Sequence, residues 1–394
     1  MNNTLQNGII ALLRSALSGE AMLLPEEFDL TSAMSVIRKH HIGSLIHTGA
    51  VNCKIDSKLP AMQQLFGITY QYMCSDEGQR WELARVLTAF DENGIDYMPL
   101  KGTLLKPLYP RPDMRIMGDA DILIKLDQYD KIRPLMLELG FEEKLESDHE
   151  LIWTKPSLYL ELHKRIIPSY NKDYASYFGN GWLLARQCPD NPFRYEMSDE
   201  DQMLYLFTHF AKHYRDGGIG IRHITDLYVY RKAKPQMDEV YIAKALKNLQ
   251  LYDFYRNICD TLSVWFEGGT HNEKTRLITD VVFDSGSFGT MENRLAAEGV
   301  RDMAEGDSAK CVRRKKWLQM LCPPRKALLE QYPVLEKLPV LLPFIWVVRW
   351  ITAVFCRRDN IKAQYSKIQV MKEDRINSYD QALRAVGLTF HFEE

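Results

Sequence analysis

An α+β fold, with a small β-sheet core flanked by N-terminal and C-terminal helical regions, is predicted by three features of the sequence. Apolar residues recur at helical spacing through the first ninety-odd positions. From Ile95 the texture changes to short apolar runs bounded by Gly and Pro. After about residue 190 helical spacing returns. The chain has 394 residues, 46% of them hydrophobic and 26% charged, which is enough for a large core divided over more than one subdomain. This composition excludes disordered, collagen-like and coiled-coil architectures. The expected regions are 1–94, helical; 95–190, the sheet-bearing core; and 191–394, helical with a basic segment at 310–367.

Taken in order, the first helical region ends where Leu83, Val86, Leu87 and Phe90 line one face and Gly94 supplies a stop. Strands are expected at Ile95 to Leu100, Ala120 to Ile124, Leu151 to Trp153 and Leu158 to Leu162, because each is a short apolar run between turn residues. Asp127 to Leu139 has helical spacing and stops before Gly140, with Pro134 expected to kink it or delay its start. Ser198 followed by Asp201 opens the next helix as a capping box, and that helix runs to Gly217-Gly218.

Fifty basic against 52 acidic side chains leave a formal charge of −2, so no global field recommends nucleic acid. One region is polarised: residues 310 to 367 hold thirteen Lys or Arg against three acids, an excess of ten. Nucleic acid or a membrane surface can bind there, but solvated charge is the default and neither partner is favoured. Pro339, Pro343 and Arg349 interrupt the apolar run Leu338 to Cys356, which argues against a membrane span. Seven scattered cysteines show no zinc or redox spacing, and the N-terminus carries no basic leader followed by an apolar run. A cytoplasmic location is expected.

Chemistry is concentrated at Asp119-Ala120-Asp121, at the head of an apolar run. Strand geometry puts both carboxylates on one face and Ala120 and Ile122 on the other. Like charges this close raise each other's pKa, and bound Mg²⁺ or Mn²⁺ with phosphate oxygens in its shell is the readiest relief. Solvated Asp beside a turn is the ordinary alternative. Upstream, Leu100-Lys101-Gly102-Thr103 breaks a strand at glycine and leads into helix-like spacing. Glycine lets a phosphate approach the backbone, Thr103 offers a hydroxyl, and a helix N-terminus favours an anion. Lys101 can add a point charge or sit at a solvated rim. Arg115 can pair with phosphate, with Asp119, or in a structural ion pair.

A third acid lies in the alternating run Leu158 to His163, where Tyr159, Glu161 and His163 share a face. If that strand neighbours the first, Asp119, Asp121 and Glu161 converge as metal ligands, with Glu161 also the base of an in-line phosphoryl transfer. His163 can orient Glu161, touch the acceptor, or be satisfied structurally. His209 and His213 form a helical stripe that Arg222, His223 and Asp226 can join. A metal site, a contact to nucleotide or acceptor, and interface packing are the three readings of that stripe.

Together, the glycine followed by a small polar residue, the Asp-x-Asp pair and the later strand carboxylate resemble nucleotidyltransferases of polymerase-β type. The wider run is Lys101-Gly102, Tyr109, Arg115, Gly118-Asp119-Ala120-Asp121, Gly140-Phe141 and Glu161-Leu162-His163. It resembles the bacterial family of uncharacterised nucleotidyltransferases, best over residues 95 to 165. The resemblance implies a mixed sheet with flanking helices, an NTP donor with ATP foremost, and a requirement for Mg²⁺. The reaction it implies is transfer of an NMP to an acceptor hydroxyl with release of pyrophosphate. Two rivals stand beside it: a helical phosphohydrolase with metal on His209, His213 and Asp226, and a catalytically silent binding protein on the same fold.

Overall fold

A computed structural model of the chain describes residues 3–147, 149–168, 171–287, 289–304, 314, 318, 321–329, 332, 334–356 and 373–389. The chain divides into two compact units, residues 1–213 with 219–288 and residues 214–218 with 289–392.

The first unit opens with four helices, α1 (Asn3–Ser18), α2 (Leu30–His40), α3 (Gly43–Asn52) and α4 (Pro60–Glu92). Asp29 caps α2 by accepting from the amides of Thr31 and Ser32. Pro60 stands in the first turn of α4, where its missing N–H has no helical partner to lose. The helix stops as its sequence predicts: Gly94 takes φ +63°, and the Ile95 amide donates back to the Phe90 carbonyl at 2.9 Å.

Next come β1 (Tyr97–Pro99), α5 (Lys101–Leu105), β2 (Ala120–Ile124), α6 (Tyr129–Glu138), β3 (Glu142–Glu146), β4 (Glu150–Lys155), β5 (Leu158–His163), α7 (Lys172–Phe178), β6 (Arg186–Cys188) and β7 (Asn191–Glu196). They form one seven-stranded mixed sheet in the order β3-β4-β5-β2-β1-β7-β6. β2 is parallel to β5 and β1 is parallel to β7, while the other pairs are antiparallel. The four expected strands are present. β3, β6 and β7 are additional, and the sheet continues past residue 190 to Glu196. β3 reads Glu-Glu-Lys-Leu-Glu and is wholly exposed at the sheet edge, where charge discourages pairing with another chain. Pro134 lies inside α6, which begins at Tyr129, two residues after the expected start.

Period-two alternation divides the sheet into a core face and a site face. Ala120, Ile122 and Ile124 of β2, Leu151 and Trp153 of β4, and Leu158, Leu160 and Leu162 of β5 all enter one apolar cluster. Val86 and Phe90 of α4 and Ile132 and Met136 of α6 pack into it. Lys155 fastens β4 to α4, donating to both Glu82 carboxylate oxygens at 2.9 Å. The odd-numbered residues of β2 and β5, Asp121, Glu161 and His163 among them, therefore point to the opposite face.

That face is met by α8 (Asp199–Arg215) and α9 (Ile221–Ala233), and α10 (Glu239–Asn248), α11 (Tyr252–Leu262) and α12 (Glu273–Ser285) complete the unit. Ser198 caps the helix, its Oγ accepting from the Asp201 amide at 3.1 Å, but the expected box is not closed on the backbone: the Asp201 carboxylate accepts from the Ser198 hydroxyl at 2.9 Å. His40 anchors the start of α9. Its Nε2–H donates to the Phe283 carbonyl at 3.0 Å, and its Nδ1 accepts from the Ile221 amide at 3.2 Å. Burial lowers this imidazole's pKa to about 4, so the neutral tautomer is held.

In the second unit the helices Met291–Ala304 and Glu373–Ala385 meet at Gly299, where a Cβ would stand 2.6 Å from Ile376 Cδ1. Of the basic segment, residues 310–313, 315–317, 319–320, 330–331, 333 and 357–367 lie outside the described residues. No helix among the described residues is long and apolar enough to cross a membrane.

Candidate active site

Asp121 and Glu161 face each other across the parallel β2–β5 pair, in direct register. Neighbouring strands in register put paired side chains on the same face, so carboxylates forty residues apart in sequence meet on the site side. Asp121 is buried, and its Oδ1 accepts from Lys101 Nζ at 2.6 Å and from His163 Nε2 at 2.8 Å. His163 Nε2 also lies 3.6 Å from Glu161 Oε2. Ligand atoms of Asp121, Glu161 and His163 fall within 4.8 Å of one another. Asp119 stands on the bend before β2 and lines the same cavity, outside this tight group. The closest cluster is thus two acids and an imidazole, where three acids were expected.

The electrostatics are asymmetric. Burial raises the Glu161 carboxyl to about 8, and the charges of Asp119 and Asp121 add to the effect. For Asp121 burial acts upward too, but the Lys101 ammonium and His163 outweigh it and hold the group well below the usual carboxylate range. His163 is depressed by burial and by Lys101. One acid is therefore ionised with its countercharge in place, while its neighbour resists ionisation until a further cation arrives. The donor set fits a divalent metal. Carboxylate oxygens of Asp121 and Glu161 and a nitrogen of His163 could serve as ligands, with Asp119 on the same cavity wall.

These groups open into a cavity of about 300 Å³. The sheet side contributes Lys101, Gly102, Arg115, Asp119, Asp121, Glu161 and His163, and the helical side contributes His209, His213, Arg222 and Asp226. Thr103 alone among the expected residues is not in this wall. Its hydroxyl is buried without a hydrogen-bond partner, and its amide donates to the Leu100 carbonyl at 3.1 Å. Gly102 also sits tight against Arg115, where a Cβ would lie 2.6 Å from Nη1. Arg115 is committed to a structural pair, donating from Nε to Asp226 Oδ1 at 2.8 Å and from Nη2 to Oδ2 at 3.0 Å, with both side chains buried. The Tyr109 hydroxyl donates to the same carboxylate at 2.7 Å. Of the three expected readings of Arg115, the geometry shows the structural ion pair, made with Asp226 and not with Asp119. His209 and His213 pack edge to face with ring centroids 4.4 Å apart, and the only metal-competent group among the described residues is the one on the sheet.

Glu150, at the head of β4 and in register with His163, also lines the cavity and was not anticipated. His149 Nε2 lies 3.1 Å from its Oε2. The signal was present, since the alternation that buries Leu151 and Trp153 places Glu150 on the Glu161 side.

A family model described as "Uncharacterised nucleotidyltransferase" matches residues 26–267. That span takes in every strand of the sheet and both helices facing the site. No curated protein and no solved structure matches the chain.

Proposed function

Because the chain belongs to the family of uncharacterised nucleotidyltransferases, we propose that it moves a nucleoside monophosphate from an NTP, ATP foremost, to an acceptor hydroxyl and releases pyrophosphate. The observation that carries this reading is the register of Asp121 with Glu161 on the cavity face of the sheet. Asp119, Asp121 and Glu161 would hold Mg²⁺ or Mn²⁺, which when bound supplies Lewis acidity toward phosphoryl oxygens. Lys101 keeps Asp121 ionised and oriented. Glu161 takes the proton of the acceptor hydroxyl as its oxygen bonds to the α-phosphorus and the bond to the leaving pyrophosphate breaks. Burial and the neighbouring acids favour the protonated form of Glu161 in the metal-free fold, and a bound divalent cation would favour the ionised form that can accept the proton. His163 orients Asp121 through its 2.8 Å bond.

The phosphohydrolase alternative loses Asp226 to Arg115 and Tyr109. A silent binding protein has no use for a carboxylate pair that repels itself. The test is to incubate the protein with each labelled NTP, Mg²⁺ or Mn²⁺ and a lysate of its host, and to search by mass spectrometry for NMP adducts. Transfer by wild type and none by Asp121→Ala is expected. Equal labelling by both proteins would reject the reading.

A further inference from the structure

The cavity has an acidic wall on the sheet, and its uncompensated positive charge lies opposite, on α9. Arg222 stands in the first turn of this thirteen-residue helix. Its Nη1 donates to the Ile116 carbonyl at 3.1 Å, its Nε is buried without a partner, and no carboxylate lies within 4.0 Å of it among the described residues. The nearest candidate, Asp226, already has both oxygens taken by Arg115 and Tyr109. Beside it, His223 also lines the cavity, with a buried Nδ1 that has no partner. The N-cap of α9 is Gly220, which offers no side chain to the helix end, and the positive end of the helix dipole adds to the field.

A half-buried guanidinium whose Nε is shielded from water and which touches no carboxylate among the described residues is costly, and a ligand anion would complete it. Metal apart, the cationic side chains of the sheet wall are already paired. Lys101 is spent on Asp121, Arg115 on Asp226, and Thr103 is not among the lining residues. We propose that the first turn of α9 is the polyphosphate seat of this cavity, with Arg222 gripping the oxygens of the pyrophosphate portion of the NTP and His223 Nδ1–H adding a donor. This rests on the nucleotidyltransfer reading and locates its leaving group. The departing diphosphate is then drawn to the helical wall while the acceptor is deprotonated at the sheet. Burial and the proximity of Arg115 depress the affinity of Arg222 for its proton, which is the penalty a bound anion removes.

The experiment is calorimetry and thermal unfolding with inorganic pyrophosphate, in EDTA so that no metal mediates, on wild type, Arg222→Met and Arg222→Lys. Wild type should bind pyrophosphate and melt at higher temperature with it. Arg222→Met should bind about ten- to a hundredfold more weakly, the range expected for losing charge-assisted hydrogen bonds, and Arg222→Lys should fall between. Without ligand, Arg222→Met should melt no lower than wild type, since it removes an uncompensated charge. A lower melting temperature identifies a structural arginine and overturns the proposal. Equal pyrophosphate binding by wild type and Arg222→Met, or NTP binding by wild type without pyrophosphate binding, also overturns it and leaves the transferase reading standing. Failure of wild type to bind any NTP in the presence of Mg²⁺ or Mn²⁺ overturns that reading itself.

Discussion

Glu161 offers the sharpest physical test, because its raised pKa converts directly into a pH-dependent stability. Its carboxyl moves from an ordinary 4.5 to about 8 through burial and the charges of Asp119 and Asp121. At about 1.4 kcal/mol per unit, the full shift of about 3.5 units corresponds to at most about 5 kcal/mol for ionising it in the metal-free fold. The sign follows from proton counting. Between pH 4.5 and 8 the folded state holds a proton that the unfolded state has released, so stability falls as pH rises through this window and levels off above it. Burial depresses His163, His209 and His223, whose penalties appear as pH falls below 6.5, so the interval above 6.5 isolates Glu161. From pH 6.5 to 9, wild type in EDTA should lose about 2 kcal/mol relative to Glu161→Gln, which keeps the shape and cannot ionise. Urea titrations of both proteins across that range measure the difference, in which all other titrations cancel. Added Mg²⁺ or Mn²⁺ should restore wild type more at pH 9 than at pH 6.5. A wild-type minus variant difference that stays constant with pH would refute the claim that burial and the neighbouring acids hold Glu161 protonated.

Three further outcomes are expected. Asp121→Asn leaves the buried Lys101 ammonium without its partner, so it should cost about 3–5 kcal/mol in denaturant unfolding and abolish NMP transfer. Gly102→Ala places a methyl 2.6 Å from Arg115 Nη1, so it should cost about 1–3 kcal/mol by overpacking, visible as a lowered melting temperature. Asp226→Asn uncouples Arg115 and should destabilise by about 3 kcal/mol or more, yet metal content measured by equilibrium dialysis should be unchanged, whereas Asp121→Ala should reduce it. Metal lost from Asp226→Asn but kept by Asp121→Ala would move the site to the helices.

What the sequence discloses of this fold and site follows from the range of the forces involved. Side-chain alternation in a strand is a local rule with period two, so Leu158 to His163 announces which residues are buried and which share a face before any partner strand is known. Hence Asp121 on one strand, and Glu161 with His163 on the other, were legible as side chains turned from the core, whereas the pairing of β2 with β5, and the place of His163 rather than Asp119 in the tightest group, were not. Strands made by pairing rather than by burial leave no such mark. β7, Asn-Pro-Phe-Arg-Tyr-Glu, contains proline and is nowhere fully buried, and it is a strand because it lies beside β1 and folds back on β6. Charge partners are less legible still. Arg115 has Asp119 four residues away in sequence and pairs instead with Asp226, 111 residues away, because tertiary packing brings a buried carboxylate to it where a bidentate geometry can form. This choice also sets what remains for chemistry. Once Arg115 neutralises Asp226, the positive charge left to meet a phosphate belongs to Arg222, so a pairing invisible in the sequence decides which wall of the cavity faces the anion.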